Sequence, residues 1–347
     1  MKCLAGMLII TLLLSCGNGR LPVAESTDEK LAAAAAAVDL PLDEKIACLF
    51  SQIAYCRNPQ EKLDSFLPGW KLAWYPGQIN SNHAFVATNG RQWAIAFRGS
   101  LMEVSWHAFD NWINQDLNIL TQVKWPHSAA GTARISQGMH NSFTNLSQLR
   151  DTINNKTLIE FIKTNIRKDA PILITGHSLG GSMATVYASY LYEQLNSAGN
   201  KIEIISFAAP APGNEAFADD FDQKFPGAVR IESEGDIVAR FPCTEKVTDF
   251  AKNCAPLPSA DQINVSYQGI RVSLRKALEM CSLAMTLLEL KNGSSFKQVA
   301  GTGRLIRIKP IETTNSLSVE NWFSAAGYQH GIAQYAAALG IPFINCP

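Results

Sequence analysis

Residues 171–196 read PILITGHSLGGSMATVYASYLYEQLN. The first five are an apolar run suited to a strand buried on both faces. Gly176-His177-Ser178-Leu179-Gly180 follows, a Gly-x-Ser-x-Gly pentapeptide. From Ser178 to Asn196 the chain is rich in Ala and other helix formers, and Gly199 supplies a stop signal. The pentapeptide alone is a weak signal, because Gly and Ser are common. A strand running straight in and a helix running straight out strengthen it, since that is the setting of a nucleophile elbow. The glycines leave room for a tight turn that lifts the Ser off the sheet, at a helix N-terminus whose dipole favours developing negative charge. The competing reading is a Gly-rich turn with a helix-capping Ser.

Outward from this stretch, Gln92 to Phe97, Ile202 to Ala208 and Ala228 to Glu232 read as further buried strands, with helical patterns between some of them. That alternation predicts an α/β fold, a mostly parallel central sheet with helices on both faces. The folded part is expected to start near Leu42 and to form a single domain over 42–347. A helical stretch, Ser273 to Leu290, and a strand-like run, Arg304 to Ile308, read as an insertion near 265–310 or as a late part of the same domain.

A Ser hydroxyl needs a base to act as a nucleophile. In this fold the chain order is Ser, acid, His, and one His alone, His330, lies after Ser178. His83, His107, His127 and His140 precede the Ser and fit that order badly, and His177 is expected to point away from it. For the acid, Asp236 follows the strand Ala228 to Glu232 within a few residues, where it can reach across to the His and fix its tautomer. Asp219, Asp220 and Asp222 fall in an expected surface helix, and Asp249 and Asp261 in a loop bounded by Pro and Cys.

The chain has 347 residues, 47% of them hydrophobic, enough for one large core. Lys+Arg and Asp+Glu are both 30, so no overall basic footprint suggests a nucleic-acid partner. Lys2 and the apolar run Leu4 to Leu14 read as an export signal, too short to span a bilayer. Leu13-Leu14-Ser15-Cys16 looks like a bacterial lipobox, which makes residues 1–15 a signal peptide, Cys16 a lipid-attachment site, and 16–41 a lipidated tether holding the protein on a membrane. Plain secretion is the alternative. With Cys3 and Cys16 set aside, six Cys remain, an even number that suits disulfides in an exported chain. Neighbour pairing gives Cys48–Cys56 and Cys243–Cys254, leaving Cys281 with Cys346. Free buried thiols are the alternative. No Cys-x-x-Cys occurs, so a metal site has little support.

Several motifs recur in the order seen in the fungal-type (class 3) lipase family, over about residues 85 to 335. Ala96-Phe97-Arg98-Gly99-Ser100 resembles that family's strand ending in Phe-Arg-Gly-Thr/Ser. Asn111-Trp112-Ile113-Asn114-Gln115-Asp116-Leu117 is similar to the Trp-containing segment that follows it. The elbow reads Gly-His-Ser-Leu-Gly-Gly throughout. Phe207 to Asn214 resembles Phe-Gly-Ala-Pro-x-x-Gly-Asn, Asp236 to Pro242 resembles the acid motif, and His330 with Tyr335 resembles the terminal His motif. Ser136-Gln137-Gly138-Met139 departs from the family's His-x-Gly-Phe. The resemblance implies an oxyanion hole from Ser100 and the Leu179 N–H, and a lid just after Ser100. Residues 101 to 113 interleave Leu, Met, Val, Trp, Phe and Ile with Glu103, His107 and Asp110, a pattern that could cover an apolar cleft, or form an ordinary buried amphipathic helix.

The expected activity is hydrolysis of a carboxylic ester in a lipid at a membrane or droplet surface. Its parts are Ser178 as nucleophile, His330 as base and Asp236 as its orienting acid, with no cofactor and no metal. Glyceride and phospholipid esters are not separated by these motifs. Other readings are an acyltransferase or peptidase on the same triad, and a surface-anchored binding protein on an inactive scaffold.

Overall fold

The computed structural model describes residues 40–77, 83–100, 118–119, 121–195, 201–253, 262–267, 270–299, 304–307, 309 and 318–346. The export signal, Cys16, the segment 101–117 and Gly199 lie outside the described residues.

Seven strands form the central sheet: β1 (Lys71–Trp74), β2 (Ala84–Thr88), β3 (Trp93–Phe97), β4 (Pro171–His177), β5 (Lys201–Phe207), β6 (Val229–Ser233) and β7 (Arg304–Ile306). Their order across the sheet equals their order along the chain. β1–β2 and β2–β3 pair antiparallel; every later pair is parallel. This is the mostly parallel, helix-covered sheet expected of the sequence. Arg304–Ile306 pairs with β6, so this part of the late region belongs to the central sheet.

Side chains alternate across a strand, and both faces here are apolar because helices cover both. Ile95, Phe97, Ile172 and Ile174 belong to one core cluster, while Ala94, Ala96, Leu173 and Phe207 belong to the other. The first face is covered by α2 (Leu179–Gln194) and α3 (Glu215–Lys224), which contribute Val186, Leu191, Phe217 and Phe221. The second is covered by α1 (Glu44–Ile53), whose N-cap Asp43 accepts from the Lys45 and Ile46 N–H groups. α1 buries Phe50 and Ile53 completely, which contributes about 1.5–3 kcal/mol for each.

Among the described residues, the stretch after the acid strand β6 includes the helix Thr244–Asn253, a hairpin of Asn264–Tyr267 with Ile270–Ser273, and α4 (Leu274–Asn292). α5 (Val319–His330) and α6 (Ile332–Ala338) end the fold. Among the described residues no helix is long and apolar enough to cross a membrane.

The cysteines pair differently from the neighbour scheme. Cys56 is bonded to Cys346, and Cys48 and Cys281 are free thiols. Cys48 lies in the second turn of α1, facing the core, about 7 Å of helical rise before that helix ends. Cys56 follows the last turn and meets the C-terminal segment. Neither Cys48–Cys56 nor Cys281–Cys346 therefore forms. Cys254 lies outside the described residues.

Candidate active site

β4 ends at His177 and α2 begins at Leu179, so Ser178 alone makes the turn between them. Its backbone adopts φ 59° and ψ −132°, a left-handed conformation that costs a non-glycine residue of order 1–3 kcal/mol. The strain is held by close backbone packing. A Cβ on Gly180 would sit 2.3 Å from the Phe97 carbonyl oxygen, and one on Gly176 would sit 2.4 Å from the Gly180 carbonyl group. Both obstacles are main chain, so neither position accepts a side chain without moving a strand. The Ser178 N–H donates to the Phe207 carbonyl at 2.9 Å, which pins the turn to β5 as well.

The Ser178 hydroxyl lies 2.9 Å from His330 Nε2. On the other side of the ring, His330 Nδ1 lies 2.9 Å from Asp236 Oδ2 and 3.1 Å from Oδ1. A carboxylate can only accept, so Nδ1 carries the proton and Nε2 is left as the acceptor for the Ser hydroxyl. Ser178 and Asp236 are separated by the whole of β5 and β6, and His330 comes from the last residue of α5. Ser178, Asp236 and His330 are brought together and all three are buried.

Asp236 is fully buried and well supplied with donors. Its Oδ1 accepts from the Val238 N–H at 2.9 Å and the Ala239 N–H at 3.4 Å. Its Oδ2 accepts from the Tyr335 hydroxyl at 2.9 Å, and that hydroxyl accepts in turn from the Ser233 N–H. Burial first, with the Asp236 charge behind it, holds the Tyr335 phenol well above its usual range, so it remains a donor. The role of Tyr335 was not legible from spacing: it follows His330 by five residues across the break between α5 and α6.

Asp219 and Asp220 are engaged elsewhere. Asp220 accepts from the Ala129 N–H and pairs with Lys224, and Asp219 pairs with Lys297. Asp220 is buried rather than on the surface, because α3 packs that side against the loop at 127–130. Asp249 lies in the helix Thr244–Asn253, not in a loop; Asp261 is outside the described residues.

Of the two oxyanion residues expected from the resemblance, Leu179 opens α2, where the first N–H groups of a helix have no partner within it. Gly99 abuts the elbow: a Cβ there would lie 3.1 Å from Ser178 Cβ and 2.6 Å from the His177 carbonyl. Ser100 is next in the chain, so its backbone starts beside the nucleophile. The expected lid at 101–113 lies outside the described residues. Among the described residues no group of three His, Cys, Asp or Glu could hold a metal ion.

His177, expected to point away from the nucleophile, meets the main chain of His330. Its Nε2 lies 2.8 Å from the His330 carbonyl oxygen, its Nδ1 lies 2.9 Å from the Tyr55 hydroxyl, and the two imidazole rings are 4.9 Å apart. Tyr55 lies just past α1, in a region without a sequence counterpart to guide its reading.

The chain is similar to several known proteins. The curated relatives include a lipase of Caenorhabditis elegans, ZK262.3, 34% identical over 71 residues, which are 20% of each chain. They also include secreted mono- and diacylglycerol lipase 3 of Gibberella zeae, 37% identical over 65 residues, 19% of this chain and 20% of that one. The matched stretches thus span about a fifth of those relatives' length. Among solved structures, that of M37 lipase is 22% identical, with a TM-score of 0.67, and the likeness covers 86% of this chain and 93% of the other. This likeness carries the α/β-hydrolase fold. Residues 94–246, which run from β3 through the elbow to the acid motif, match the family model for lipase (class 3).

Proposed function

We propose that this protein is a serine hydrolase acting on carboxylic esters of lipids, with Ser178 as nucleophile, His330 as general base and Asp236 as the group that orients His330. The observation that carries this reading is the unbroken line of contacts from Ser178 Oγ to His330 Nε2 and from His330 Nδ1 to Asp236, each closing at 2.9 Å.

In acylation, Ser178 Oγ attacks the ester carbonyl carbon while its proton passes to His330 Nε2. The imidazolium that forms is stabilised by Asp236, whose charge is held by the Val238, Ala239 and Tyr335 donors. The tetrahedral oxyanion develops beside the Leu179 and Ser100 N–H groups; losing one such donor typically costs about 10²–10³ in rate. Collapse breaks the bond to the alcohol, which takes the proton from His330 Nε2. Water, deprotonated by the same nitrogen, then attacks the acyl-enzyme; the fatty acid is released as the bond to Ser178 Oγ breaks and Oγ takes the proton back from His330 Nε2. Lipid as the substrate class is supported by the match to the class 3 lipase family model. The same reading has the chain exported through residues 1–15 and anchored at a membrane through acylated Cys16, which the lipobox pattern supports.

Two measurements test it. The purified, folded protein is treated with a fluorophosphonate, and lipid products are analysed from a mixture of triacyl-, diacyl- and phosphoglycerides. Labelling at Ser178 and release of free fatty acid are expected, with Ser178→Ala unlabelled and slower by up to about 10⁶. A folded wild type that neither labels nor hydrolyses any of these esters would refute the proposal. Mass spectrometry of the mature N-terminus tests the anchor separately, and an unmodified N-terminus elsewhere than Cys16 rejects it.

A further inference from the structure

We propose that His177 and Tyr55 are positioning residues for His330: a relay from the Tyr55 hydroxyl through the His177 ring to the His330 main chain holds the base in reach of Ser178. The proposal rests on the serine hydrolase reading above and extends it to two residues that do not touch the reacting atoms.

The relay has a fixed direction. A carbonyl oxygen can only accept, so the proton on His177 sits on Nε2, where it donates to the His330 carbonyl at 2.8 Å. A neutral imidazole with its proton on Nε2 must accept at Nδ1. The group 2.9 Å from Nδ1 is the Tyr55 hydroxyl, which therefore donates. Tyr55 thus selects the His177 tautomer that can hold His330. Burial, the larger cause, and the neighbouring His330 push His177 down to about 3, so the ring stays neutral and keeps one donor and one acceptor. Burial also raises Tyr55, which keeps its proton for donation.

The place where this bond is made gives it a task. His330 is the last residue of α5, and the chain turns at Gly331 before α6. Carbonyls at a helix end lack a partner within the helix, and such ends are free to fray. The base of the triad sits on this end. Successive residues of the elbow grip it from two sides: Ser178 meets the imidazole, and His177 meets the main chain of the same residue. The Tyr55 hydroxyl is seated against Gly99, where a Cβ would come within 2.4 Å of it. The relay therefore also abuts the segment leading to Ser100. A histidine that merely filled the core would need its two nitrogens satisfied, but not by the backbone of the base.

The test compares full-length wild type, Tyr55→Phe, His177→Gln and His177→Leu, with circular dichroism melts run alongside. The readouts are the rate of fluorophosphonate labelling at Ser178, and kcat and KM on a short-chain p-nitrophenyl ester. Gln can offer an amide N–H near the position of Nε2, so His177→Gln is expected within about 3-fold of wild type in kcat and labelling. His177→Leu is expected to lose about 10–100-fold in both with KM within twofold, as misplacement of a reacting group does. Tyr55→Phe is expected to lose about 5–10-fold, and adding it to His177→Leu is expected to cost nothing more, because the two act through one bond. The proposal is overturned if Tyr55→Phe labels at the wild-type rate, or if Gln and Leu at 177 lose rate equally. Should His177→Leu fail to fold, Tyr55→Phe and His177→Gln decide the matter on the same terms. A wild type that does not label at all overturns the hydrolase reading instead.

Discussion

Replacing Tyr335 by Phe removes one oxygen and leaves the ring's packing in place. That ring stands edge-on to Phe207 at 6.2 Å and to His177 at 6.0 Å, contacts that Phe retains. The hydroxyl makes two hydrogen bonds, donating to the Asp236 carboxylate and accepting from the Ser233 N–H, both at 2.9 Å. A bond to a charged group contributes about 1.5–3 kcal/mol, and leaving a buried N–H unpaired costs about 1–3 kcal/mol. Since neighbouring terms do not add fully, the expected loss is about 2–5 kcal/mol. With an unfolding entropy of about 2.1 cal/mol/K per residue, or about 0.7 kcal/mol/K for 347 residues, Tm should fall by roughly 3–7 °C. Asp236 keeps its Val238 and Ala239 donors, so the triad should survive with a weakened anchor, and kcat should drop about 10-fold with KM unchanged. Calorimetry, with initial rates taken well below the new Tm, measures both. A Tm within about 2 °C of wild type would refute the assignment of these two bonds to the hydroxyl.

Asp236→Asn should leave the fold intact but offer His330 Nδ1 an amide in place of a carboxylate, allowing the wrong tautomer. A fall of about 10⁴ in kcat and in fluorophosphonate labelling is expected, and near-normal labelling would remove Asp236 from the triad. Stability should decline in acid through His177. Its folded value of about 3 lies below the unfolded value near 6.5, so between these the unfolded chain binds a proton that the folded one does not. Stability from this group is present above about pH 6.5 and is lost as pH falls toward 3, with a slope of up to about 1.4 kcal/mol per pH unit. Urea unfolding of wild type and His177→Gln across this window should show the difference in slope, and parallel curves would count against it. Breaking Cys56–Cys346 by Cys56→Ser opens a closed loop with a sequence separation of 290, which should cost about 2–4 kcal/mol and lower the urea midpoint accordingly.

The strand–elbow–helix unit was legible because its determinants are local. An apolar run, two glycines that only a tight turn requires, and a helix-forming tail all lie within 26 consecutive residues, 171–196. β3, β5 and β6 were legible for the same reason, within a residue or two at their ends. β1 and β2 were not. Trp74 and Ala84 are buried in contact with the rest of the sheet, but β1 has only four residues of mixed exposure, too short a pattern to stand out.

Chain order fixed which residues should meet at the site: with one His after the Ser and one acid just past a strand, Ser178, Asp236 and His330 followed from sequence alone. The cysteine pairing, the Tyr335 anchor and the Tyr55–His177 bridge did not. Those contacts join residues 99 to 290 positions apart, so nothing in the local pattern names the partner. What selects them is the stacking of α1 and α6 on one face of the sheet. That packing seats Cys56 beside Cys346 and delivers one tyrosine hydroxyl to His177 of the elbow and another to the Asp236 carboxylate.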